Sequence, residues 1–119
     1  MDKEQFRKRT KAYALRVIKV VESLPNTQSG RVLGDQLVRS GTSVGANYRA
    51  AARAKSRADF ISKMGTVEEE CDESLYWMEL LVEGGLVEGG RLEELMAEGD
   101  EILAMTISSI RTARASRNE

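Results

Sequence analysis

Proline is almost absent from this 119-residue chain, and the single proline, Pro25, separates two segments with helical periodicity. Over residues 6–24, apolar side chains recur at steps of three, four and seven, which is one face of an amphipathic helix. The residue before a proline is driven out of the α region, so this helix must end close to Pro25. The pattern therefore predicts a first helix over residues 3–23.

Three further helices are predicted, because no second proline interrupts the chain and the apolar spacing continues. Ser56 followed by Asp59 is typical of a helix cap, and the pairs Gly84-Gly85 and Gly89-Gly90 bracket the last loop. Residues 1–119 should therefore form one all-α domain, an antiparallel up-down four-helix bundle with a frayed end at 116–119. The predicted helices are 3–23, 29–55, 57–83 and 91–115.

The run Ser40-Gly41-Thr42-Ser43 could interrupt the second helix, because serine and glycine both disfavour a helix interior. The apolar stripe continues on both sides of the run, which favours an unbroken helix; a local break is the alternative. In an unbroken helix, these small residues would let a neighbouring helix approach, and their hydroxyls and Asn47 would bond across the gap. We therefore predict a polar network between the second and third helices. Its members are Arg39, Ser40, Ser43, Asn47, Glu70 and Glu73.

Charge is distributed unevenly along the chain, although the formal net charge is only −1. Residues 1–57 contain 13 Lys and Arg against 4 Asp and Glu, whereas residues 58–119 contain 5 against 15. A basic half of this kind can bind nucleic-acid phosphates without regard to sequence. The alternative is that the two halves attract each other within the bundle or across a subunit contact. The candidate nucleic-acid-binding residues are Arg7, Lys8, Arg9, Lys11, Arg16, Lys19, Arg49, Arg53 and Arg57.

The residue types do not favour catalysis. The chain contains no histidine, which removes the commonest general base and the commonest transition-metal ligand. The single cysteine, Cys71, lies on the predicted apolar face of the third helix, where a thiol is normally inert. Glu69, Glu70 and Glu73 could bind Mg²⁺ or Ca²⁺ together, but a solvated acidic face explains them better. We expect no enzyme activity, no metal and no cofactor.

Three further features bear on location. One cysteine cannot form an intrachain disulfide, and the first residues lack the apolar segment of a signal peptide. No apolar run approaches the ~20 residues that span a bilayer. We expect a cytoplasmic protein without membrane contact.

A rare combination of residues in the middle of the chain resembles a known family. The string Arg-Ser-x-x-Ser-Val-x-x-Asn-Tyr at 39–48 precedes a helix that contains Phe60, and the turn at 24–27 reads Leu-Pro-Asn-Thr. The other matching positions are Gln36, Arg53, Ser56, Asp59, Lys63 and the run from Glu69 to Trp77. These features are similar to those of small bacterial proteins first noticed in intervening sequences of 23S ribosomal RNA genes.

The resemblance implies a four-helix bundle that assembles into a ring, typically a homopentamer, without demonstrated catalysis. A related group, the accessory proteins of diversity-generating retroelements, implies a reverse transcriptase as a candidate protein partner and nucleic-acid binding through a basic surface. The family often has Glu-Gly where this chain has Ala50-Ala51, so that glutamate is absent opposite Arg39 or Arg53.

Two functional hypotheses follow. The first is a non-enzymatic homo-oligomer that binds RNA or DNA backbone non-specifically through its first two helices. The second is a protein-interaction adaptor or scaffold without nucleic-acid binding, whose opposite charges serve subunit contacts and a protein client.

Overall fold

The computed structural model describes residues 1–116 of the chain, which form an antiparallel bundle of four α-helices. The helices are α1 (Lys3–Glu22), α2 (Gln28–Ala52), α3 (Arg57–Glu83) and α4 (Gly89–Ala115). The bundle measures 53 × 21 × 21 Å. Consecutive helices are neighbours; α2 and α3 share the largest contact, whereas α1 and α4 share the smallest of the four neighbouring pairs.

The predicted all-α fold is confirmed, and most helix ends lie within two residues of the predicted ones. α2 ends at Ala52, three residues earlier than predicted. It continues without interruption through Ser40-Gly41-Thr42-Ser43, so a local break there is wrong. No strand occurs within residues 1–116. The expected fraying at 116–119 falls mostly on residues 117–119, which lie outside the described part, and ring assembly stays a prediction.

Side-chain caps determine where three of the helices begin. Asp2 accepts hydrogen bonds from two backbone N–H groups in the first turn of α1, at 2.9 and 3.2 Å. Thr27 and Ser56 each accept from the N–H group three residues later, which confirms the cap predicted at Ser56. After α3 the chain turns at Gly85, whose φ of +77° is left-handed and suits glycine.

Glycines on one face of α2 allow α1 to approach closely. A Cβ atom added at Gly41 would lie 2.8 Å from Val17 Cγ1, and one added at Gly45 would lie 3.2 Å from Thr10 Oγ1. At Gly34, an added Cβ would lie 3.3 Å from Val21 in α1 and 3.2 Å from Leu24 just after it. The predicted close approach at small residues is therefore confirmed, and α1 is the helix that approaches.

A short polar chain runs through the apolar core. Tyr13 of α1 and Ser74 of α3 are fully buried, and their hydroxyl oxygens lie 2.8 Å apart. Ser74 donates to the carbonyl of Cys71 at 2.7 Å, so the Tyr13 hydroxyl donates to Ser74. The Cys71 thiol donates to the Gly99 carbonyl of α4 at 3.4 Å, and burial raises the pKa of this thiol to about 12. These bonds connect three helices, and the predicted burial of the thiol is confirmed.

Gly41→Ala is expected to lower the free energy of unfolding by about 1–3 kcal/mol, because the new methyl group overlaps Val17 and α1 must shift. Gly65→Ala in α3 is the control, since no neighbouring atom lies within 4 Å of its Cβ position. This control should raise the unfolding free energy by about 0.5–1 kcal/mol through helix propensity. Urea denaturation measures both, and equal effects would contradict the close packing of α1 on α2.

Candidate nucleic-acid interface

A positively charged groove lies between α1 and α2, at the end of the bundle where α1 begins and α2 ends. It consists of two adjoining depressions of about 220 Å³ each, and Arg7 and Arg49 line both of them. Lys3 and Arg53 line the first depression, and Lys11 lines the second. We call the two depressions together the basic groove, and these five side chains its cations.

Helical spacing explains why these cations share one groove. The three on α1 follow each other at four-residue steps, and so do the two on α2, so each row lies on one face of its helix. The second depression is also lined by Gly45 and Thr10, through which the two helices approach closely. The close approach of the helices therefore also brings the two rows of cations together.

The basic groove carries positive charge that the described residues do not neutralise. Glu4 is the one acidic side chain that lines the two depressions. Among residues 1–116, the ion pairs involve Arg9 and Lys63, and none of the five groove cations takes part. Neighbouring like charges repel each other, so an anion bound in the groove would be attracted by all of them.

The other predicted cations lie outside the basic groove. The Arg9 guanidinium donates to both carboxylate oxygens of Glu98 on α4, at 2.7 and 3.0 Å, and lies 3.4 Å from Glu101. The hydrogen bond to Glu98 raises the pKa of Arg9, and this arginine joins α1 to α4 instead of lining the groove. The remaining four are exposed at other positions: Lys8, Arg16, Lys19 and Arg57.

Lys3 lines the basic groove although the sequence analysis did not select it. In a count of charge along the chain, the acidic neighbours Asp2 and Glu4 offset the positive charge of Lys3. Its four-residue distance from Arg7 is the signal that places both on one helix face.

The described residues offer neither a metal site nor a membrane-spanning helix. Within residues 1–116, no three His, Cys, Asp or Glu side chains are grouped so that they could hold a metal ion. Over these same residues, no helix has the length and apolar character needed to cross a bilayer.

Comparison with known proteins decides the family. The family model described as 23S rRNA-intervening sequence protein matches residues 2–108. The chain belongs to this family. A crystal structure of a protein with unknown function from the S23 ribosomal protein family of Bacteroides thetaiotaomicron is 35% identical, with a TM-score of 0.86. The match covers 93% of this chain and 99% of that one, whereas no curated protein matches the chain.

In this member of the 23S rRNA-intervening sequence protein family, the predicted polar network is arranged differently from the expectation. Ser40 and Ser43 donate to the carbonyls of Gln36 and Arg39, and Asn47 donates to the carbonyl of Ser43. These bonds run along α2 and not across to α3, because a short side chain in a helix always has the carbonyl four residues earlier within reach.

Glu70 and Arg39 are the network members that influence each other between α3 and α2. Glu70 is half-buried, and desolvation raises its pKa, with a further upward contribution from the nearby charge of Glu73. Arg39 acts in the opposite direction, since a cation favours the ionised carboxyl. The net rise in the pKa of Glu70 shows that burial and acidic neighbours outweigh Arg39.

Glu70→Gln is expected to raise the melting temperature at pH 7. A carboxyl whose pKa rises on folding contributes stability below its unfolded pKa, and this contribution is lost as the pH rises through the folded pKa. At pH 7 the ionised Glu70 therefore destabilises the folded protein. At about pH 3 Glu70 and the glutamine that replaces it are both neutral, so the difference in melting temperature between wild type and variant should vanish.

Glu79→Gln, an exposed substitution on the same helix, is the control for loss of one acidic charge. Thermal unfolding followed by circular dichroism at both pH values provides the comparison. A melting temperature at pH 7 that falls in the Glu70 variant would mean that Arg39 dominates, contrary to this account.

Proposed function

We propose that this protein is a non-enzymatic, homo-oligomeric four-helix bundle that binds the backbone of RNA or DNA through the basic groove. The observation that carries the proposal is the convergence of five cations from α1 and α2 in one groove. None of these five forms an ion pair with another residue of the described part, 1–116. Cations that contact phosphates release counterions from the nucleic acid, so the affinity depends strongly on salt.

The chemistry of the groove favours sequence-tolerant binding. Lysine and arginine side chains on exposed helix faces contact phosphates, which are the same in every sequence. The one aromatic side chain that lines the basic groove, Tyr48, is only 2% exposed and is not available as a stacking surface there.

Assembly of several copies is the second part of the proposal. Most of the positive charge lies on α1 and α2, whereas exposed acidic side chains follow α3, so opposite charges occupy different sides of the bundle. A contact between exposed cations outside the basic groove of one copy and the acidic side of the next is head-to-tail and leaves the basic groove free for nucleic acid. Such contacts form rings when the rotation closes. The family resemblance makes a homopentamer in the bacterial cytoplasm the specific proposal. The exposed acids of α3 are Glu69, Asp72, Glu73, Glu79 and Glu83.

The non-enzymatic part of the proposal is supported by the residue types. The chain has no histidine to act as a general base. The Cys71 thiol, with a pKa raised to about 12 by burial, remains protonated at neutral pH, and the thiolate is the nucleophilic form.

Reversing the charge of Arg7 and Arg49 tests the basic groove, because these two side chains line both of its depressions. The double variant Arg7→Glu/Arg49→Glu is expected to bind labelled RNA and DNA about tenfold more weakly or worse at low salt. Fluorescence anisotropy titrations measure the affinity, and light scattering after gel filtration reports the size of the assembly.

Lys8→Glu/Lys19→Glu is the matched control, since it changes the net charge by the same amount at exposed α1 positions outside the groove. It should weaken binding much less. Equal losses in both double variants would mean that net charge alone attracts nucleic acid, and the groove would then have no special role.

A protein-interaction adaptor, with a client such as a reverse transcriptase, is the second candidate function. Leu15 and Ile18 favour it, because they are 55% and 39% exposed and lie one turn apart on α1. Neighbouring exposed apolar side chains are typical of protein contacts. Assembly that does not depend on salt, combined with no affinity for RNA or DNA, would support the adaptor and contradict nucleic-acid binding.

A further inference from the structure

A second, larger groove lies at the same end of the bundle and is lined mostly by residues from the second half of α4. Its volume is about 610 Å³, within the usual range of small-ligand sites. Met1, Phe60 and Met105 provide apolar walls, and Ala104, Ser108 and Thr112 follow α4 at four-residue steps with short side chains. We call this the end groove.

The end groove adjoins the basic groove. Lys3, Tyr48 and Ala52 line both the end groove and the first depression of the basic groove. Lys3 is the one charged side chain that lines the end groove, and no acidic side chain lines it. An apolar site with hydroxyl groups thus adjoins the row of cations at Lys3.

We propose that the end groove receives one unstacked base of a single-stranded nucleic acid whose phosphates lie in the basic groove. The inference rests on the proposed function and adds to it a preference for single strands. A base has two apolar faces and a polar edge, which suit the methionine and phenylalanine walls and the hydroxyls of Ser108, Ser109 and Thr112. The Thr112 hydroxyl already donates to the carbonyl of Ser108, so the hydrogen bond left for its oxygen to make is as an acceptor.

The chemistry of the lining distinguishes a base from other occupants. An alkyl chain would leave the three hydroxyls facing hydrocarbon, at the cost of their hydrogen bonds to water. A base in a duplex is stacked and paired, and its removal from the helix opposes binding. A single strand presents bases without that cost, and one base held in a groove beside phosphate-binding cations is a common pattern in single-strand recognition.

Ala104→Leu is the test, because Ala104 is exposed and its larger replacement obstructs the end groove without offering an aromatic ring on which a base could stack. Ala97→Leu is the matched control: it is also exposed, two turns earlier on α4, and does not line the groove. The probes are labelled homopolymer strands of about 12 nucleotides, in DNA and in RNA, and a duplex of the same length. Thermal unfolding checks that each variant is folded.

Wild-type protein is expected to bind the single strands more tightly than the duplex. Ala104→Leu should weaken single-strand binding about tenfold and leave duplex binding unchanged, whereas Ala97→Leu should change neither. A second measurement does not depend on a variant. With methyl-labelled methionine, the Met105 resonance should shift when a single strand is added and not when a duplex is added.

The failures of the two proposals are distinguishable. Single-strand binding that is unaffected by Ala104→Leu, or that leaves the Met105 resonance in place, overturns the proposal for the end groove and leaves the proposal for the basic groove intact. No binding of any nucleic acid by the wild-type protein at low salt overturns both proposals. A smaller assembly in Ala104→Leu with unchanged affinity would mean that a second copy of the chain occupies the end groove, which also overturns the inference.

Discussion

The close approach of α1 to α2 is the constraint on which the surface of this bundle depends. Gly41 and Gly45 have no side chains to separate the helices, and Val17 and Thr10 occupy the space. Two amphipathic helices with cations on their outer faces then bring those cations to one shared groove. Repulsion between like charges opposes this arrangement. A fold that holds them together at some cost in stability is typical of a site that binds an anion.

The same packing leaves the opposite side of α1 less tightly covered. α1 and α4 share the smallest contact of the neighbouring helices, and the ion pair from Arg9 to Glu98 and Glu101 joins them part-way along. Nearer the end of the bundle, short α4 side chains such as Ala104 and Ser108 leave an open groove. Both grooves therefore arise from the position of α1, and Lys3 at its start lines both of them.

The helices could be predicted from the sequence because apolar periodicity, one proline and a few glycines define them locally. The grouping of the cations could not, because it depends on which helix faces which. Arg9 and Arg7 are equivalent in a charge count, yet Arg9 faces α4 and pairs with Glu98 while Arg7 faces α2. The hydroxyls of Ser40 and Ser43 were expected to bond across helices, but a local carbonyl competes successfully for such side chains.

The salt dependence of single-strand binding by the unmodified protein tests the central claim most directly. If three to five cations of the basic groove each neutralise a phosphate, the logarithm of the binding constant should fall with the logarithm of salt concentration with a slope of about −2 to −3.5. A slope of this size means that several phosphates are contacted at once, as a groove lined from two helices requires. Binding with a slope near zero, or no binding at low salt, would contradict the account.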